Sequence, residues 1–344
     1  MSSPSNTPFF GRAYQLSIAP ATQPGTEIVI SSDAFEPNAL RFTFDINQLA
    51  FKAFWQAEIE IFNCDGQITS GPSAGQMLIA DLITEGSIVT VKAGYQYDGL
   101  PQTIWQGPVF QTIWDRVEVV DFRITLRCLL NRVLTTQNFI NTTIPALSTQ
   151  FDQAQFIASH SVTPIPVNGT QLQLLPTRRL PRGKSYFGSP HEFLHDIADD
   201  NGFLSWFAGN GFNMADLNQP VGPLVATYAP ATVLGSAPAK QPDGTTLSLI
   251  GTPQQTQFGI NFKVLLDPRL QILSPLVQVG IQMQFIRQAA VQYPLPEGQL
   301  PPRPLVNQYT VVGVRHYGDS RGNNWYSEVT AFSKVDDVIA LLAN

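Results

Sequence analysis

The chain has 344 residues, a length that usually corresponds to two or three compact domains. Only 13% of the residues are charged, against a typical fraction of about 25%, and Gln, Asn, Thr and Ser take the place of the missing charges. The 25 glycines and 27 prolines suit a turn-rich β protein rather than a disordered chain, and the net charge of -6 disfavours binding of nucleic acid or an anionic membrane through the overall field.

Alternation of apolar and polar residues dominates the first part of the chain and predicts short β-strands with one apolar face each. We expect such strands at residues 41–46, 57–61, 87–95, 104–114 and 122–128. Gly107 and Pro108 interrupt the fourth strand and predict a bulge or a sheet edge there. Together these strands predict a small sandwich or barrel over residues 1–134.

Residues 135–223 differ in character, because helical patterns appear and Pro and Gly cluster. A helix is predicted over 189–200, with Ser189 as N-cap and Glu192 as the third member of a capping box. A short hairpin is predicted at 203–214, around a Gly-Asn-Gly turn. This part of the chain therefore predicts a small α+β middle region.

Residues 224–253 are rich in Pro and Gly, and we expect them to form a connection that could return to the first barrel. Further strands are predicted at 259–265, 276–284, 307–316 and 325–332. Both β regions contain a Val-x-Val strand followed by a loop with aromatic residues and a long strand pair, which favours two similar barrels over one large sandwich. The predicted fold is mainly β with minor α, with the second tube-like β-barrel at 254–344.

His191, Glu192 and His195 match the H-E-x-x-H pattern, in which two histidines one helical turn apart bind zinc and the glutamate acts as general base. The capping box already explains Glu192, however, and His191 falls in the first turn of a short helix. The positions that metzincins fill with Gly and His carry Ala198 and Asn201. No glutamate that could serve as a downstream ligand follows in the middle region.

A third zinc ligand could come from Asp216 or His160 only through an unfamiliar arrangement. The residues thus favour a solvated helix edge over a zinc site. No Ser-His-Asp or Cys-His arrangement has a local context that supports catalysis, and no phosphate-binding glycine pattern is present. We expect neither an enzymatic activity nor a metal or other cofactor.

The middle region also contains a cluster of basic residues, made up of Arg178, Arg179, Arg182 and Lys184. No acidic residue occurs from 153 to 191. Such a cluster could contact phosphate or the acidic surface of another protein. An exposed loop interrupted by proline explains it better than nucleic-acid binding does, and an acidic partner protein stays open as an alternative.

The chain has two cysteines, Cys64 and Cys128. An even count of two is weak evidence for a disulfide, and Cys128 takes an inward position in a predicted strand, so their pairing stays undecided. No apolar run reaches the about 18 residues of a membrane span, and the first residues lack a secretory pattern. We therefore expect no membrane contact and no export by the general route.

Several segments of the chain carry distinctive motifs. Residues 246–270 contain a Leu-Ile-Gly-x-Pro turn, a Thr-x-x-Gly strand and a Leu-Leu-Asx-Pro sequence. Residues 314–325 contain a His-x-Gly-Asp-x-Arg-Gly…Trp sequence. These motifs resemble segments of phage tail baseplate hub proteins. The order and spacing of the N-terminal motifs, at 42–45, 57–62, 89–95 and 104–107, resemble the first hub barrel. The resemblance is weakest over 135–223, where the helix at 189–200 corresponds to a packing element of such hubs.

The resemblance implies a homotrimer in which each subunit contributes two barrels to a pseudo-sixfold ring. Such a ring would adapt the sixfold tail tube to the threefold central spike and line a channel that DNA crosses without specific binding. It also implies contacts with a tail tube or distal tail protein, the tape measure protein and baseplate wedge proteins. The expected location is the tail baseplate of the virion, after synthesis in the host cytoplasm.

Two alternatives to this interpretation stay open. The first is the hub of a phage-derived contractile injection system, although the chain shows no needle repeat. The second is a tail-associated zinc peptidase that uses His191, Glu192 and His195.

Overall fold

A computed structural model describes residues 11–22, 25, 27–31, 40–50, 55–63, 83–95, 101–116, 122–208, 211–216, 222–230, 245–256, 259–272, 276–281 and 308–332. Within these residues the chain is mainly β with minor α, which confirms the predicted fold class. No helix in the described part is long and apolar enough to cross a membrane. Cys128 is a buried free thiol whose pKa is raised to about 12 by burial, and Cys64 lies outside the described residues.

The first β region contains seven strands: β1 (Arg12–Ala19), β2 (Ile28–Ser31), β3 (Phe42–Leu49), β4 (Trp55–Phe62), β5 (Ile88–Tyr95), β6 (Gln102–Arg116) and β7 (Phe122–Leu130). They pair antiparallel in the order β3-β4-β7-β6-β5-β1-β2. Strict alternation of buried and outward residues in β3 and β4 explains their formation. The described residues show no pairing between β2 and β3 that would close this region by itself.

The five strands predicted in this region are confirmed, whereas β1 and β2 were not predicted. The interruption expected at Gly107 and Pro108 lies slightly further along the chain. There the register of β6 against β7 shifts between Val109 and Gln111, which leaves Phe110 as the extra residue of a bulge.

The middle region contains α1 (Arg132–Thr136), β8 (Ile140–Ile144), α2 (Gln150–His160), α3 (Gly169–Leu172), β9 (Lys184–Gly188), α4 (Pro190–Asp199), β10 (Leu204–Ala208) and β11 (Gly211–Ala215). Strand β8 pairs with β9, and β10 pairs with β11. The region has its own hydrophobic cluster, which includes Ile157, Leu194 and Phe212. In the β10–β11 hairpin, Trp206 belongs to the cluster of the β regions and Phe207 to that of the middle region, so the hairpin joins the two cores.

Helix α4 lies where it was predicted, but its predicted capping box is wrong. The Ser189 side chain makes no hydrogen bond to the helix backbone, because its Oγ bonds to the carbonyl oxygen of Thr135 at 3.3 Å and to His191 Nδ1 at 2.8 Å. A capping box occurs instead at the start of α2. There the backbone N–H of Asp152 donates to Thr149 Oγ1 at 3.1 Å, and the backbone N–H of Thr149 donates to Asp152 Oδ2 at 2.8 Å.

The second β region contains β12 (Leu224–Pro230), β13 (Thr245–Gln255), β14 (Gly259–Leu265), β15 (Gln278–Ile281), β16 (Gln308–Asp319) and β17 (Trp325–Phe332). These six strands form a closed barrel in the order β12-β13-β14-β17-β16-β15, with β15 pairing back to β12. The four strands predicted here are observed, and positions 282–284 of the second one lie outside the described residues.

The segment 224–253, expected as a connection, instead supplies β12 and most of β13 to this barrel. The physical reason is burial: Tyr228 and Ala229 in β12 are fully enclosed. The prolines at 223 and 230 made this short strand resemble a linker.

The two β regions are joined edge to edge. Strand β16 pairs antiparallel with β3, in a register that runs from Gly313 opposite Leu49 to Asp319 opposite Thr43. The result is a single 13-stranded sheet. The buried faces of both regions share one hydrophobic cluster, in which the rings of Phe44 and Trp325 meet edge to face at 5.3 Å.

Candidate functional site: the polar face of the joined sheet and its junction

Eight consecutive antiparallel strands run through both β regions in the order β13-β14-β17-β16-β3-β4-β7-β6. Because side chains alternate along a strand, one face of this stretch belongs to the core and the other is polar. A groove of about 1070 Å³ lies on the polar face and is lined by β3, β4, β6, β7, β16 and the turn after β16. The charged side chains of this face or its rim are Arg41, Asp45, Glu58, Glu60, Asp115, Arg123, Arg127, Lys263, Arg315, Asp319 and Glu328.

Arg315 on β16 forms salt bridges with carboxylates of both β regions at their junction. Its Nη2 lies 2.5 Å from Asp45 Oδ2 on β3, and its Nη1 lies 3.5 Å from Glu328 Oε2 on β17. The hydrogen bond to Asp45 is the main cause of the raised pKa of Arg315. Glu328 also accepts a hydrogen bond from Tyr317 at 2.9 Å and lies 3.9 Å from Lys263 Nζ. The charges on this side of the junction are therefore mutually compensated.

The first β region repeats this pairing. Arg123 on β7 bonds Glu60 on β4 at 2.8 Å and Asp115 on β6 at 2.7 Å, and the hydrogen bond to Asp115 is the main cause of its raised pKa. Arg127 Nε lies 3.3 Å from Glu58 Oε2. Exposed pairs of this kind stabilise a fold by only about 0–1 kcal/mol each. Their main consequence is a polar surface with few uncompensated charges.

The turn between β16 and β17 fastens the junction. Arg41, just before β3, holds Asp319 in a bidentate contact, with Nη2–Oδ2 at 2.7 Å and Nε–Oδ1 at 3.2 Å. Burial alone would raise the pKa of Asp319, but the hydrogen bond from Arg41 and backbone N–H groups of the turn hold it below its ordinary value. Arg12 on β1 donates to the carbonyl oxygens of Asp319 and Asn323 at 3.1 and 3.2 Å. Three separate parts of the chain thus meet at this turn.

Two glycines of the turn sequence are required by close approach. A Cβ on Gly318 would lie 2.5 Å from Phe44 Cζ and 2.7 Å from Trp325 Cε3. A Cβ on Gly322 would lie 2.3 Å from Asp319 Oδ2. The His-x-Gly-Asp-x-Arg-Gly sequence, noted above only as a family resemblance, therefore has a structural role at the junction.

His316, in the same sequence, is fully buried in β16. Its Nε2 lies 2.8 Å from the Leu270 carbonyl oxygen, which can only accept, so this nitrogen carries the proton. Its Nδ1 accepts from the Ser327 hydroxyl at 2.8 Å, and Ser327 Oγ accepts the backbone N–H of Asp267 at 3.1 Å. Burial lowers the pKa of His316 to about 4, although the Leu270 carbonyl and the charge of Asp267 oppose this shift. The ring is therefore neutral near pH 7.

Asp267 belongs to the Leu-Leu-Asx-Pro sequence and anchors the loop after β14. Its carboxylate accepts two hydrogen bonds from the Arg269 guanidinium, at 2.9 and 2.6 Å, and one from the Tyr228 hydroxyl at 2.8 Å. Burial would raise the pKa of Asp267, but these bonds outweigh it and the pKa is lowered. The same burial places the pKa of Tyr228 well above its ordinary value. Sequence reasoning gave this aspartate no role, because its burial and its bond to Tyr228 on β12 depend on the packing of distant segments.

The H-E-x-x-H histidines are engaged in local hydrogen bonds. His191 Nδ1 lies 2.8 Å from Ser189 Oγ, and burial is the main cause of the lowered pKa of His191. His195 Nδ1 lies 2.5 Å from Ser205 Oγ, and its Nε2 lies 3.4 Å from Asp199 Oδ2. Glu192 is exposed beside them.

Over the described ranges of the chain, no group of three or more His, Cys, Asp or Glu side chains is arranged to hold a metal ion. His160, considered above as a third ligand, stacks on Phe156 at the end of α2, with the ring centroids 3.8 Å apart.

The basic cluster lies on the surface of the middle region. Arg178, Arg179 and Arg182 are on the segment before β9, Lys184 begins β9, and all four side chains are exposed. Within the part of the chain that the structure describes, none of them forms a salt bridge within 4.0 Å. These four side chains thus form no salt bridge, whereas those of the sheet do. Lys184 Nζ lies 5.0 Å from the centroid of the Tyr186 ring. The pKa of Asp152 is lowered mainly by its hydrogen bonds to Thr149 and to a smaller extent by the charge of Arg179.

No protein-family model matches the sequence, and no curated protein matches it. Solved structures do share its fold. The 43 kDa tail protein of prophage MuSo2 from Shewanella oneidensis superposes with a TM-score of 0.54 at 11% identity, over 94% of this chain and 99% of that one. The tail protein from Neisseria meningitidis MC58 gives a TM-score of 0.52 at 12% identity, over 94% and 97%. The chain therefore has the fold of these two tail proteins, which confirms the resemblance at the level of fold.

Proposed function

We propose that the chain is a structural hub subunit of a phage tail baseplate, which forms a homotrimer between the sixfold tail tube and the threefold central spike. The observation that carries this proposal is the pairing of β16 with β3, which joins two β regions of one subunit edge to edge. Three such subunits would present six β regions around one axis. In such a ring the three subunits match the symmetry of a threefold partner, and the six β regions match that of a sixfold partner.

The direction of the strands supports ring closure. The eight-stranded stretch alternates direction throughout, so its first strand, β13, and its last, β6, run in opposite directions. Placing β6 of one subunit beside β13 of the next would continue the antiparallel order. In the described part of the chain, the two strand edges needed for this contact are partly unpaired. Strand β5 pairs with β6 only up to Pro108, and β12 pairs with β13 only up to Leu249.

The polar face suits the wall of a channel for DNA. Its arginines are paired with carboxylates on neighbouring strands, so few cations are free to hold phosphate. A wall of compensated charges would let DNA pass without specific binding. On this proposal the hub also contacts a tail tube or distal tail protein, the tape measure protein and wedge proteins, at the baseplate of the virion.

Light scattering tests the trimer. The protein, alone or with its spike, is expected to have three times the subunit mass of 37.8 kDa. Trp114→Glu is expected to shift the particle to monomers, because Trp114 is 51% exposed on the outer half of β6 and a buried unpaired carboxylate there would oppose association. Val162→Glu, at a 76% exposed site of the middle region, is the control and should leave the mass unchanged. A wild-type monomer in both preparations would refute the proposal.

Metal analysis tests the structural role against the peptidase alternative. We propose that the chain is not an enzyme, and we expect less than one zinc per subunit after purification. The reason is that no group of three or more His, Cys, Asp or Glu side chains in the described residues is arranged to hold a metal ion, and His195 Nε2 already lies 3.4 Å from Asp199 Oδ2. Casein cleavage by the wild type should equal that by His195→Ala. A stoichiometric zinc that EDTA removes, with activity lost in His195→Ala, would establish the peptidase instead.

A further inference from the structure

The strands β8 and β9 form a ribbon that continues beyond their ends. The backbone N–H of Leu147 donates to the Leu180 carbonyl at 2.9 Å, the N–H of Leu180 donates to the Ser148 carbonyl at 3.0 Å, and Thr149 forms a bridge with Arg179. Residues 140–149 and 179–188 thus run antiparallel beside each other, with the strand pairing interrupted at 145–147 and 181–183, and are here called the basic ribbon. Its backbone is held in place on the middle region by α2, which packs against β8.

The basic ribbon and the loop leading into it expose charged and apolar side chains together. Arg178, Arg179, Arg182 and Lys184 are exposed and form no salt bridge within the described residues. Leu147 is 65% exposed and Phe187 is 72% exposed, and the ring of Phe187 meets that of Phe139 at 4.9 Å. Exposed large apolar side chains beside unpaired arginines are typical of a protein interface.

The opposite charge lies on α4 of the same middle region. Glu192, Asp196 and Asp200 are exposed and spaced by four residues, so they share one side of the helix, here called the acidic side. Two of them, with Asp199, lie at the C-terminal end, where the helix dipole disfavours negative charge and no basic residue is present. In the described residues, no cation lies within 4.0 Å of Glu192, Asp196 or Asp200.

Neither charge cluster forms a salt bridge within the described part of one subunit, whereas the arginines of the sheet do. We propose that the basic ribbon of one subunit docks on the acidic side of α4 of the neighbouring subunit. This inference rests on the proposed trimer and assigns it a second contact, outside the β regions. A head-to-tail contact between two different patches is the kind that a closed ring of identical subunits requires.

A second copy of the chain fits the basic ribbon better than nucleic acid does. The net charge of -6 disfavours nucleic acid through the overall field. The chain itself supplies the complementary surface, and the clusters carry four positive and three negative charges. Docking would cover Leu147 and Phe187 and would relieve the repulsion among the carboxylates at the end of α4.

Charge reversal tests the contact. We expect Arg178→Glu, Arg182→Glu and Lys184→Glu, introduced together, to weaken association. The protein concentration below which the trimer dissociates should rise at least tenfold. Glu192→Lys, Asp196→Lys and Asp200→Lys together should do the same. A chain that carries all six changes should regain most of the lost association, because the attraction is restored with reversed sign. Glu27→Lys with Glu85→Lys, at exposed sites of the first β region, serves as the control.

A zero-length carbodiimide cross-link provides an independent readout. Mixed 14N- and 15N-labelled wild-type chains should give isotopically mixed cross-links between Lys184 and Glu192, Asp196 or Asp200. If the trimer forms but neither the reversals nor the cross-linking show this contact, the inference is wrong and the proposed function stands. A wild type that is monomeric in both preparations refutes the proposed function. A single-stranded oligonucleotide that binds the wild type but not the arginine variant, with the trimer unchanged, would make the ribbon a nucleic-acid site instead.

Discussion

Asp267→Ala is expected to lower the free energy of unfolding by about 2–4 kcal/mol, because it leaves the buried Tyr228 hydroxyl without an acceptor and removes the bonds to Arg269, whose side chain is 34% exposed. The carboxylate is almost completely buried and accepts hydrogen bonds from Arg269 and Tyr228. Removing it leaves the Tyr228 hydroxyl enclosed without its acceptor and deprives the Arg269 guanidinium of its counter-charge. Because these groups connect β12 to the loop after β14, the loss would loosen the closed barrel.

Guanidinium denaturation at one fixed protein concentration measures this effect, since association would otherwise alter the apparent stability. Asp45→Ala is the matched control. It removes the same kind of carboxylate from a bidentate arginine, but Asp45 and Arg315 are both more than 40% exposed, so its expected effect is at most about 1 kcal/mol. Asp267→Asn keeps the shape of the side chain but only one acceptor oxygen, so its loss of stability should lie between those of Asp267→Ala and Asp45→Ala. Equal losses for Asp267→Ala and Asp45→Ala would contradict the assigned role.

The strands that the sequence predicted are those whose own residues carry a clear alternation. In β4, Ala57, Ile59 and Ile61 are buried, whereas Gln56 and Glu58 face solvent. Strand β12 is a counterexample, since its alternation is short and prolines flank it. What makes it a strand is the pairing with β13 and β15, which lie well beyond it in the chain. Long-range pairing of this kind leaves no local signal.

The candidate site was predictable only in part, for the same reason. The sequence indicated the basic cluster and the turn around Asp319. It did not indicate that Arg41 holds Asp319, or how the other charges of the sheet are paired. Arg315 and Asp45 are 270 residues apart in sequence, and they meet only because β16 pairs with β3. The junction and the compensated polar face therefore follow from topology, whereas the residue types alone could be read as scattered surface charges.

The stability of the protein is expected to increase by about 3 kcal/mol between pH 4 and pH 6.5 because of His316. The ordinary pKa of histidine is 6.5, and burial lowers that of His316 to about 4 in the folded chain. Between these values the unfolded chain binds a proton that the folded chain does not, so acid favours unfolding. The stability linked to the neutral His316 ring is fully present above pH 6.5 and is lost as the pH falls towards 4. The lowered pKa of His191 acts in the same direction.

Denaturation midpoints at several pH values, compared with those of His316→Gln, would isolate the contribution of His316 to the pH dependence of stability. A glutamine can still donate to the Leu270 carbonyl but cannot ionise, so the variant should lose most of the slope. His160→Gln is the control, because His160 is exposed and should leave the slope as in the wild type. The carboxylates with lowered pKa, Asp152, Asp267 and Asp319, lose their contributions mainly below 3.8, and the pKa of Asp199 is raised by burial. Both proteins share these groups, so the comparison with His316→Gln cancels their effect on the slope. If the variant does not fold, NMR of the wild type decides: a His316 ring that titrates near pH 6.5 would show that the buried neutral histidine is wrongly assigned.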